Sequence, residues 1–210
     1  DEILLTINSF LAIFRHRQPF KDDDTKLATY IFLASLPIFL FGFITKLFFS
    51  DFYNSHFRGL FFIALISIVM SILLALSEIY GEKKKVFKDI KVRDIILLGF
   101  SQSLAIFPGV SRSGVTLTSA LFSGIERKTA AKLSFLVGIP AISISGLVEF
   151  FSIYRTSSPT VILPIILGII SSFFSSIIAI DLLLRFLQKN NTFVFVYYRL
   201  AFGVFILSSL

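Results

Sequence analysis

Long apolar runs alternate with short polar clusters along most of this chain. Five runs are long enough to cross a hydrocarbon core of about 30 Å, which takes about 20 apolar residues in a helix. These runs are residues 29–49, 59–80, 133–154, 161–184 and 193–210. The pattern therefore predicts an all-α integral membrane protein, in which residues 1–210 form a single transmembrane domain built as a multi-span helical bundle.

The segment 95–125 has a different pattern. Its two apolar pieces, residues 95–107 and 115–125, are each too short to span, and a polar, glycine-containing break separates them. Non-helical backbone at membrane depth is tolerated only where it is buried in protein or lines a cavity. We therefore predict a re-entrant, broken helix pair over 95–125. The apolar stretch at the start of the chain is also short, and we interpret residues 1–14 as the remnant of a truncated helix.

Composition and charge support a membrane protein. The chain is 55% hydrophobic and only 16% charged, and it contains no cysteine, which excludes disulfides and thiolate sites. Fifteen of its 20 basic residues fall in the loops 15–26, 81–93, 126–132 and 185–191. Cytoplasmic loops collect positive charge, and these four loops share one side only if 95–125 does not cross the bilayer. The net charge of +7 is therefore explained by basic cytoplasmic loops. No nucleic-acid partner is expected.

The break between the two short pieces has the character of an anion-binding loop. Arg112 lies at membrane depth, where a guanidinium costs at least about 2.5 kcal/mol and needs an anionic partner. Gly109 and Gly114 allow backbone N–H groups to turn inward and form a concave nest. The helix that follows adds partial positive charge at its N-terminus. We therefore predict that Gly109 and Gly114 help to bind a phosphate group.

Hydroxyl side chains surround this arginine. Ser111, Ser113 and Thr116 could donate hydrogen bonds to phosphate oxygens, and one of the serines could be a nucleophile, although no adjacent base is identifiable. If the bound phosphate undergoes phosphoryl transfer, Arg112 would stabilise the charge of the transition state, because its planar guanidinium can bind two phosphate oxygens at once. The alternative is structural: the serines cap a helix and Arg112 pairs with a carboxylate.

Two further polar residues at membrane depth have competing interpretations. Gln102 could contact the substrate, but a lone amide in an apolar piece could equally join two helices. Arg199 could point toward the phosphate site, but we expect it to pair with Asp181 on the preceding span.

The run from Gly99 to Thr116 resembles a signature of the undecaprenyl-diphosphate phosphatases, the bacitracin-resistance type. A resemblance that covers nearly the whole chain is strengthened by four further runs, namely Ser134-Phe135-Leu136, Ile139-Pro140, Leu36-Pro37 and Tyr198-Arg199. It implies an inverted-repeat architecture in the bacterial inner membrane. It also implies hydrolysis of a polyprenyl diphosphate lipid to recycle the carrier for peptidoglycan, with a divalent cation, Mg or Ca, as cofactor.

One part of the family pattern is missing. An earlier signature with acidic residues and a histidine has no match here, and neither Glu2, Glu78 or Glu149 nor His16 or His56 replaces it. We therefore assign no metal ligand, and we expect the 210 residues alone to bind a diphosphate without hydrolysing it. We expect either that an N-terminal portion of the protein precedes these 210 residues or that the chain is a natural short homologue.

Two other functions and the assembly state stay open at this point. Broken helices around a midplane site are equally the architecture of transporters or lipid flippases, so transport of a polyprenyl phosphate is the alternative function. A noncatalytic scaffold agrees with the hydropathy but leaves the buried arginine unexplained. Membrane lipids are the expected surroundings, and the sequence leaves open whether the chain forms a homo-oligomer.

Overall fold

The computed structural model describes residues 22–49, 53, 57–156 and 162–210, and these residues fold into helices joined by short loops. In the described part of the chain the α-helices are α1 (Asp23–Phe48), α2 (Leu60–Tyr80), α3 (Val92–Ser103), α4 (Arg112–Phe122), α5 (Arg127–Thr156), α6 (Ile162–Lys189) and α7 (Phe193–Ser208). Short 3₁₀ turns cover Phe87–Asp89 and Leu104–Ile106. The predicted all-α architecture is confirmed.

Four of these helices are long and apolar enough to cross a membrane. They are Asp23–Phe48, Leu60–Tyr80, Arg127–Ile153 and Ile162–Lys189. Several helices are longer than the predicted apolar segments, because polar residues form the first or last turn of the helix. The fifth predicted span, 193–210, is realised as the 16-residue helix α7, about 24 Å long at 1.5 Å per residue and shorter than the other four. The predicted helix remnant at 1–14 lies outside the described residues.

The first helix begins at a well-formed cap. The Asp22 carboxylate accepts a hydrogen bond from the Thr25 backbone N–H at 2.8 Å, and the Thr25 hydroxyl accepts one from the Asp22 N–H at 3.1 Å. This reciprocal pair satisfies two backbone donors that have no partner inside the helix. The polar linker therefore gives way to the apolar span at one defined position.

The short helices α3 and α4 form a hairpin whose two ends meet. The N–H groups of Lys84 and Lys85 both donate to the Gly124 carbonyl at 2.9 Å, and the Glu126 N–H donates to the Lys85 carbonyl at 3.0 Å. The chain thus leaves α4 beside the loop that enters α3. With 12 and 11 residues, each helix is only about 16 to 18 Å long. Their depth in a bilayer stays a prediction.

A buried carboxylate holds the same end of the bundle together. Glu78, near the end of α2, is 4% exposed and forms a salt bridge with Arg127 at the start of α5. It also accepts hydrogen bonds from the Thr192 N–H at 3.2 Å and the Thr192 hydroxyl at 2.8 Å, just before α7. Lys83 lies 3.7 Å from the same carboxylate. One side chain therefore fixes the relative positions of three helix termini.

The packing leaves a mostly apolar outer surface. Helix α2 packs along α7, α1 packs along α3, and α4 contacts α2, α3 and α5. Gly203 of α7 allows a close approach to α2, because a Cβ there would lie 3.0 Å from the Ala64 carbonyl oxygen. The most apolar part of α6 has no buried residue, so this helix presents its side chains to the surroundings. Such a surface is compatible with lipid and not with water.

Candidate functional site

The loop between α3 and α4 turns sharply at two positions with positive φ. Gly109 has φ +91°, and a Cβ there would lie 2.6 Å from the Ile63 carbonyl oxygen of α2. Ser111 has φ 63° without being glycine, a strained conformation that tends to persist where function requires it. The Tyr53 hydroxyl donates to the Ile106 carbonyl at 2.7 Å and supports the turn just before the loop. These constraints fix the start of α4.

Ser111 is the N-cap of α4 and leaves backbone donors free. Its side-chain oxygen accepts from the Gly114 N–H at 3.3 Å, and its carbonyl accepts from the Val115 N–H at 2.9 Å. The N–H groups of Arg112 and Ser113 have no acceptor among the described residues. Free N–H groups and the helix dipole make this terminus suited to an anion. The predicted anion-binding character of the loop therefore has a structural basis.

Arg199 lies against this loop, and the prediction that it pairs with Asp181 is wrong. Asp181 instead forms an ion pair of 2.8 Å with Arg185, one turn along α6. The Arg199 guanidinium donates to the Gly109 carbonyl at 2.6 Å and to the Val110 carbonyl at 3.0 Å. It also passes over Gly114, where a Cβ would lie 2.6 Å from its Nη1 atom. Arg199 binds the loop carbonyls and not Asp181, because α7 packs on α2 and this packing places the guanidinium beside the loop.

Arg112, the arginine predicted at the phosphate, points toward α5. Its guanidinium donates to the Gly138 carbonyl and occupies the space that a side chain at that position would take. The side chain is half-buried, and it pairs with no carboxylate in the described part of the chain. The alternative of a structural ion pair is therefore not seen here. Arg112 and Arg199 lie on either side of the first turn of α4, and both carry charge without a carboxylate partner among the described residues.

A cavity of about 530 Å³ joins this polar loop to an apolar interior. Its polar end contains four of the residues around the loop, namely Gly109, Ser111, Ser113 and Gly114, together with Arg199. Its remaining wall is mainly apolar and comes from α2, α4, α5, α6 and α7, with Ile63, Leu117, Phe135, Leu187, Phe195 and Phe202 among the lining side chains. Tyr198 and Phe202 also lie partly on the outer surface, so the cavity reaches the lipid-facing side. Its shape and polarity suit a lipid with an anionic headgroup.

Three predicted site residues do not line the cavity: Arg112, which points toward α5, and the buried Thr116 and Gln102. Thr116 is completely buried, and its hydroxyl donates to the carbonyls of Arg112 at 2.9 Å and Ser113 at 3.2 Å. It therefore holds the first turn of α4 and does not face a phosphate in this structure. Gln102 is also completely buried, and its amide donates to the Ala34 carbonyl of α1 at 3.3 Å. This contact agrees with the interpretation of Gln102 as a link between helices.

The residues that sequence reasoning missed are those that come from other helices. Ser67 of α2 lines the cavity, and its hydroxyl donates to the Arg199 carbonyl at 3.4 Å. Ser134 of α5 also lines it, but its hydroxyl is bonded to the Ala130 carbonyl at 2.8 Å. Ser67 does not stand out in its apolar run, because serine is common in membrane helices. Ser134 belongs to the run Ser134-Phe135-Leu136 that carries part of the resemblance, but the sequence gives it no role in the site. In the sequence, the Tyr198-Arg199 pair is the one feature that points to α7 as part of the site.

The described residues do not form a site for a divalent cation. No group of three or more His, Asp and Glu side chains occurs among them, and no carboxylate lines the described part of the cavity. Hard cations such as Mg²⁺ and Ca²⁺ take oxygen ligands, usually including carboxylates. The cation implied by the resemblance therefore does not fit the described lining, where arginine provides the positive charge.

Comparison with known proteins identifies relatives along the whole chain. A family model described as bacitracin resistance protein BacA matches residues 1–205. Undecaprenyl-diphosphatases of Prochlorococcus marinus strains NATL1A and NATL2A are 66% and 65% identical over 210 residues, which make up 100% of this chain and 75% of each relative. An undecaprenyl-diphosphatase of a Synechocystis species is 50% identical over 188 residues, covering 89% of this chain and 58% of the relative.

Proposed function

The chain belongs to the bacitracin resistance protein BacA family, and we infer from this membership and from the cavity that its function is the hydrolysis of undecaprenyl diphosphate to undecaprenyl phosphate and inorganic phosphate. The observation that carries the inference is Arg199 at the polar end of an apolar cavity, without a carboxylate partner among the described residues. A cation at membrane depth is stabilised by an anion, and a diphosphate headgroup is such an anion.

The substrate fits the cavity in one orientation. Its polyprenyl chain lies against the apolar wall, and its diphosphate lies at the start of α4. There the free N–H groups of Arg112 and Ser113 and the hydroxyls of Ser111 and Ser113 face the phosphate oxygens. Arg199 stays beside them because it is held by the loop carbonyls. The headgroup is thus bound by preformed donors.

Hydrolysis transfers the terminal phosphoryl group to water, with undecaprenyl phosphate as the leaving group. Negative charge develops on the bridging oxygen and on the oxygens of the transferred group. Arg199 and the N–H groups of the α4 terminus oppose this charge without needing to reorganise. Arg112 joins them if its guanidinium turns from Gly138 toward the loop, which keeps its predicted role as a stabiliser open to test.

Neither the activation of the attacking water nor the cation is assigned to a described residue. The described cavity lining contains no carboxylate and no histidine. We propose that the divalent cation implied by the family acts with ligands other than these lining residues. We also propose that the protein lies in the bacterial inner membrane, with the basic loops at the cytoplasmic face.

The test has a binding readout and a turnover readout. The 210-residue chain in detergent should bind undecaprenyl diphosphate. A chimera that adds the unmatched quarter of the NATL1A relative should also release inorganic phosphate, in a divalent-cation-dependent reaction. In that chimera Ser113→Ala should lower turnover, whereas Ser171→Ala, on the exposed surface of α6, serves as the matched control.

Two outcomes would contradict this function. One is a folded chimera that releases no phosphate. The other is movement of undecaprenyl diphosphate across liposomes without cleavage, which would instead support the transporter or flippase alternative.

A further inference from the structure

A second cavity lies on the other side of α4, away from the substrate cavity. It is a groove of about 640 Å³ between α2, α3 and α4, and we call it the basic groove. Lys91 and Arg93 lie at its mouth, and Leu97, Leu104, Val115 and Phe122 are among its apolar lining residues. Because α4 separates the two cavities, no described residue lines both the basic groove and the substrate cavity.

The mouth of the basic groove carries uncompensated positive charge. The one carboxylate among its described lining residues, Asp94, forms an ion pair of 3.1 Å with Lys85 and accepts a hydrogen bond from the Lys91 N–H at 3.0 Å. The charged ends of Lys91 and Arg93 have no carboxylate partner in the described part of the chain. Both residues are exposed. The mouth therefore presents two positive charges that a single anionic headgroup can neutralise.

The interior of the basic groove suits hydrocarbon. Its polar side chains include Ser101 and Thr118, whose hydroxyls donate to the Leu98 carbonyl at 2.7 Å and the Gly114 carbonyl at 2.8 Å of their own helices. These hydroxyl protons are satisfied and require no water. Leu97, Leu104 and Phe122 are each about half exposed, so something apolar must cover them in a membrane. The groove thus combines a cationic mouth with a mainly apolar wall, in which the Ser101 and Thr118 hydroxyls are satisfied within their own helices.

The length of the basic groove matches one leaflet. From Lys91 to Leu104 it follows the whole of α3, a rise of about 20 Å. Half of a hydrocarbon core of about 30 Å is about 15 Å, so an acyl chain that enters beside Lys91 can stay in the groove over the depth of its leaflet.

We propose that the basic groove binds an anionic glycerophospholipid of the surrounding bilayer. The headgroup phosphate contacts Lys91 and Arg93, and one acyl chain lies between α3 and α4. Basic pockets between membrane helices recognise anionic headgroups in this way. Charge complementarity selects this occupant over a zwitterionic lipid, whose headgroup would leave the mouth positive.

Native mass spectrometry of the full chain tests the proposal. The chain is extracted from nanodiscs containing equal amounts of phosphatidylglycerol and phosphatidylcholine, and the retained lipids are counted. The wild type should retain phosphatidylglycerol preferentially. Lys91→Gln combined with Arg93→Gln should lower that preference at least roughly tenfold, the loss expected when a charge-assisted hydrogen bond to the headgroup phosphate is removed.

A matched control removes the same charge from the same loop. Lys84 and Lys88 are exposed and lie outside the basic groove, so Lys84→Gln combined with Lys88→Gln should change the preference by less than about twofold, because salt screens exposed charges that do not contact the headgroup. A third variant, Ser119→Trp, fills the groove without changing charge and should also lower phosphatidylglycerol retention. Circular dichroism checks that each variant keeps the helical content of the wild type.

Three results would overturn the proposal. The wild type could show no preference between the two lipids. Both double variants could lose the preference equally, which would indicate general surface attraction and no site. Undecaprenyl phosphate could be the retained lipid in place of phosphatidylglycerol, which would make the basic groove a second site for the polyprenyl carrier.

Discussion

The Gly114→Ala variant is expected to move Arg199 without destabilising the fold. A Cβ at residue 114 would lie 2.6 Å from the Arg199 Nη1 atom, whereas ordinary contacts begin at 3.4 Å. The guanidinium must therefore retreat by most of an ångström. The same substitution replaces glycine by alanine in the first turn of a helix, where alanine is favoured by up to about 1 kcal/mol. The variant should fold at least as stably as the wild type.

The expected cost of Gly114→Ala is in turnover. Misplacement of a catalytic group by about 1 Å can lower a rate about 100-fold. Phosphate release by the chimera should therefore fall by roughly that factor, with no drop in the midpoint of thermal unfolding. Gly146→Ala is the control, since no atom in the described part of the chain lies within 4 Å of a Cβ at that position. Turnover of Gly114→Ala close to that of the wild type would refute the placement of Arg199 at the reacting phosphate.

Three other predictions address the second arginine, the helix termini and the topology. Arg112→Lys should lower phosphate release nearly as much as Arg112→Ala, by about 100-fold, because a point charge cannot replace the bidentate guanidinium. Near-normal turnover of the lysine variant would show that Arg112 does not act on the phosphate. Glu78→Gln should destabilise the fold by about 1 to 3 kcal/mol in chemical unfolding, since it removes the buried carboxylate that binds the partly exposed Arg127 and the hydroxyl of Thr192, whereas Glu82→Gln on the surface should change stability by less than about 0.5 kcal/mol. Single cysteines at Lys84 and Lys128 should react with an impermeant thiol reagent from the same side of the membrane, and labelling from opposite sides would contradict the re-entrant hairpin.

The helices and the loop were predictable because each depends on local sequence. Apolar runs of about 20 residues can form only spanning helices in lipid, and the glycines and serines of 108–114 specify a break followed by a helix N-terminus. Apolar periodicity does not encode which helices touch. The partner of Arg199 therefore could not be read from the sequence, since Asp181 and the Gly109 carbonyl are both within plausible reach until the packing of α7 on α2 is known.

Side-chain direction was the second limit. Arg112, Ser113 and Thr116 are close in sequence but point to different sides of α4, toward α5, the cavity and the helix backbone. A run of polar residues at a helix start predicts an anion site but not which hydroxyl faces it. The role of Glu78 was missed for a related reason, because its partners come from Arg127 and Thr192, far away in the sequence.

The most direct test of the account is the affinity of the 210-residue chain for undecaprenyl diphosphate. Binding is measured in detergent by the quenching or shift of a fluorescent substrate analogue, for the wild type, Arg199→Ala and the control Arg185→Ala. A charge-assisted hydrogen bond contributes about 1.5 to 3 kcal/mol, so Arg199→Ala should weaken binding about 10- to 100-fold. Arg185→Ala should not, because that arginine pairs with Asp181 on the exposed surface. Equal affinities of the wild type and Arg199→Ala would contradict the claim that the cavity beside α4 holds the diphosphate.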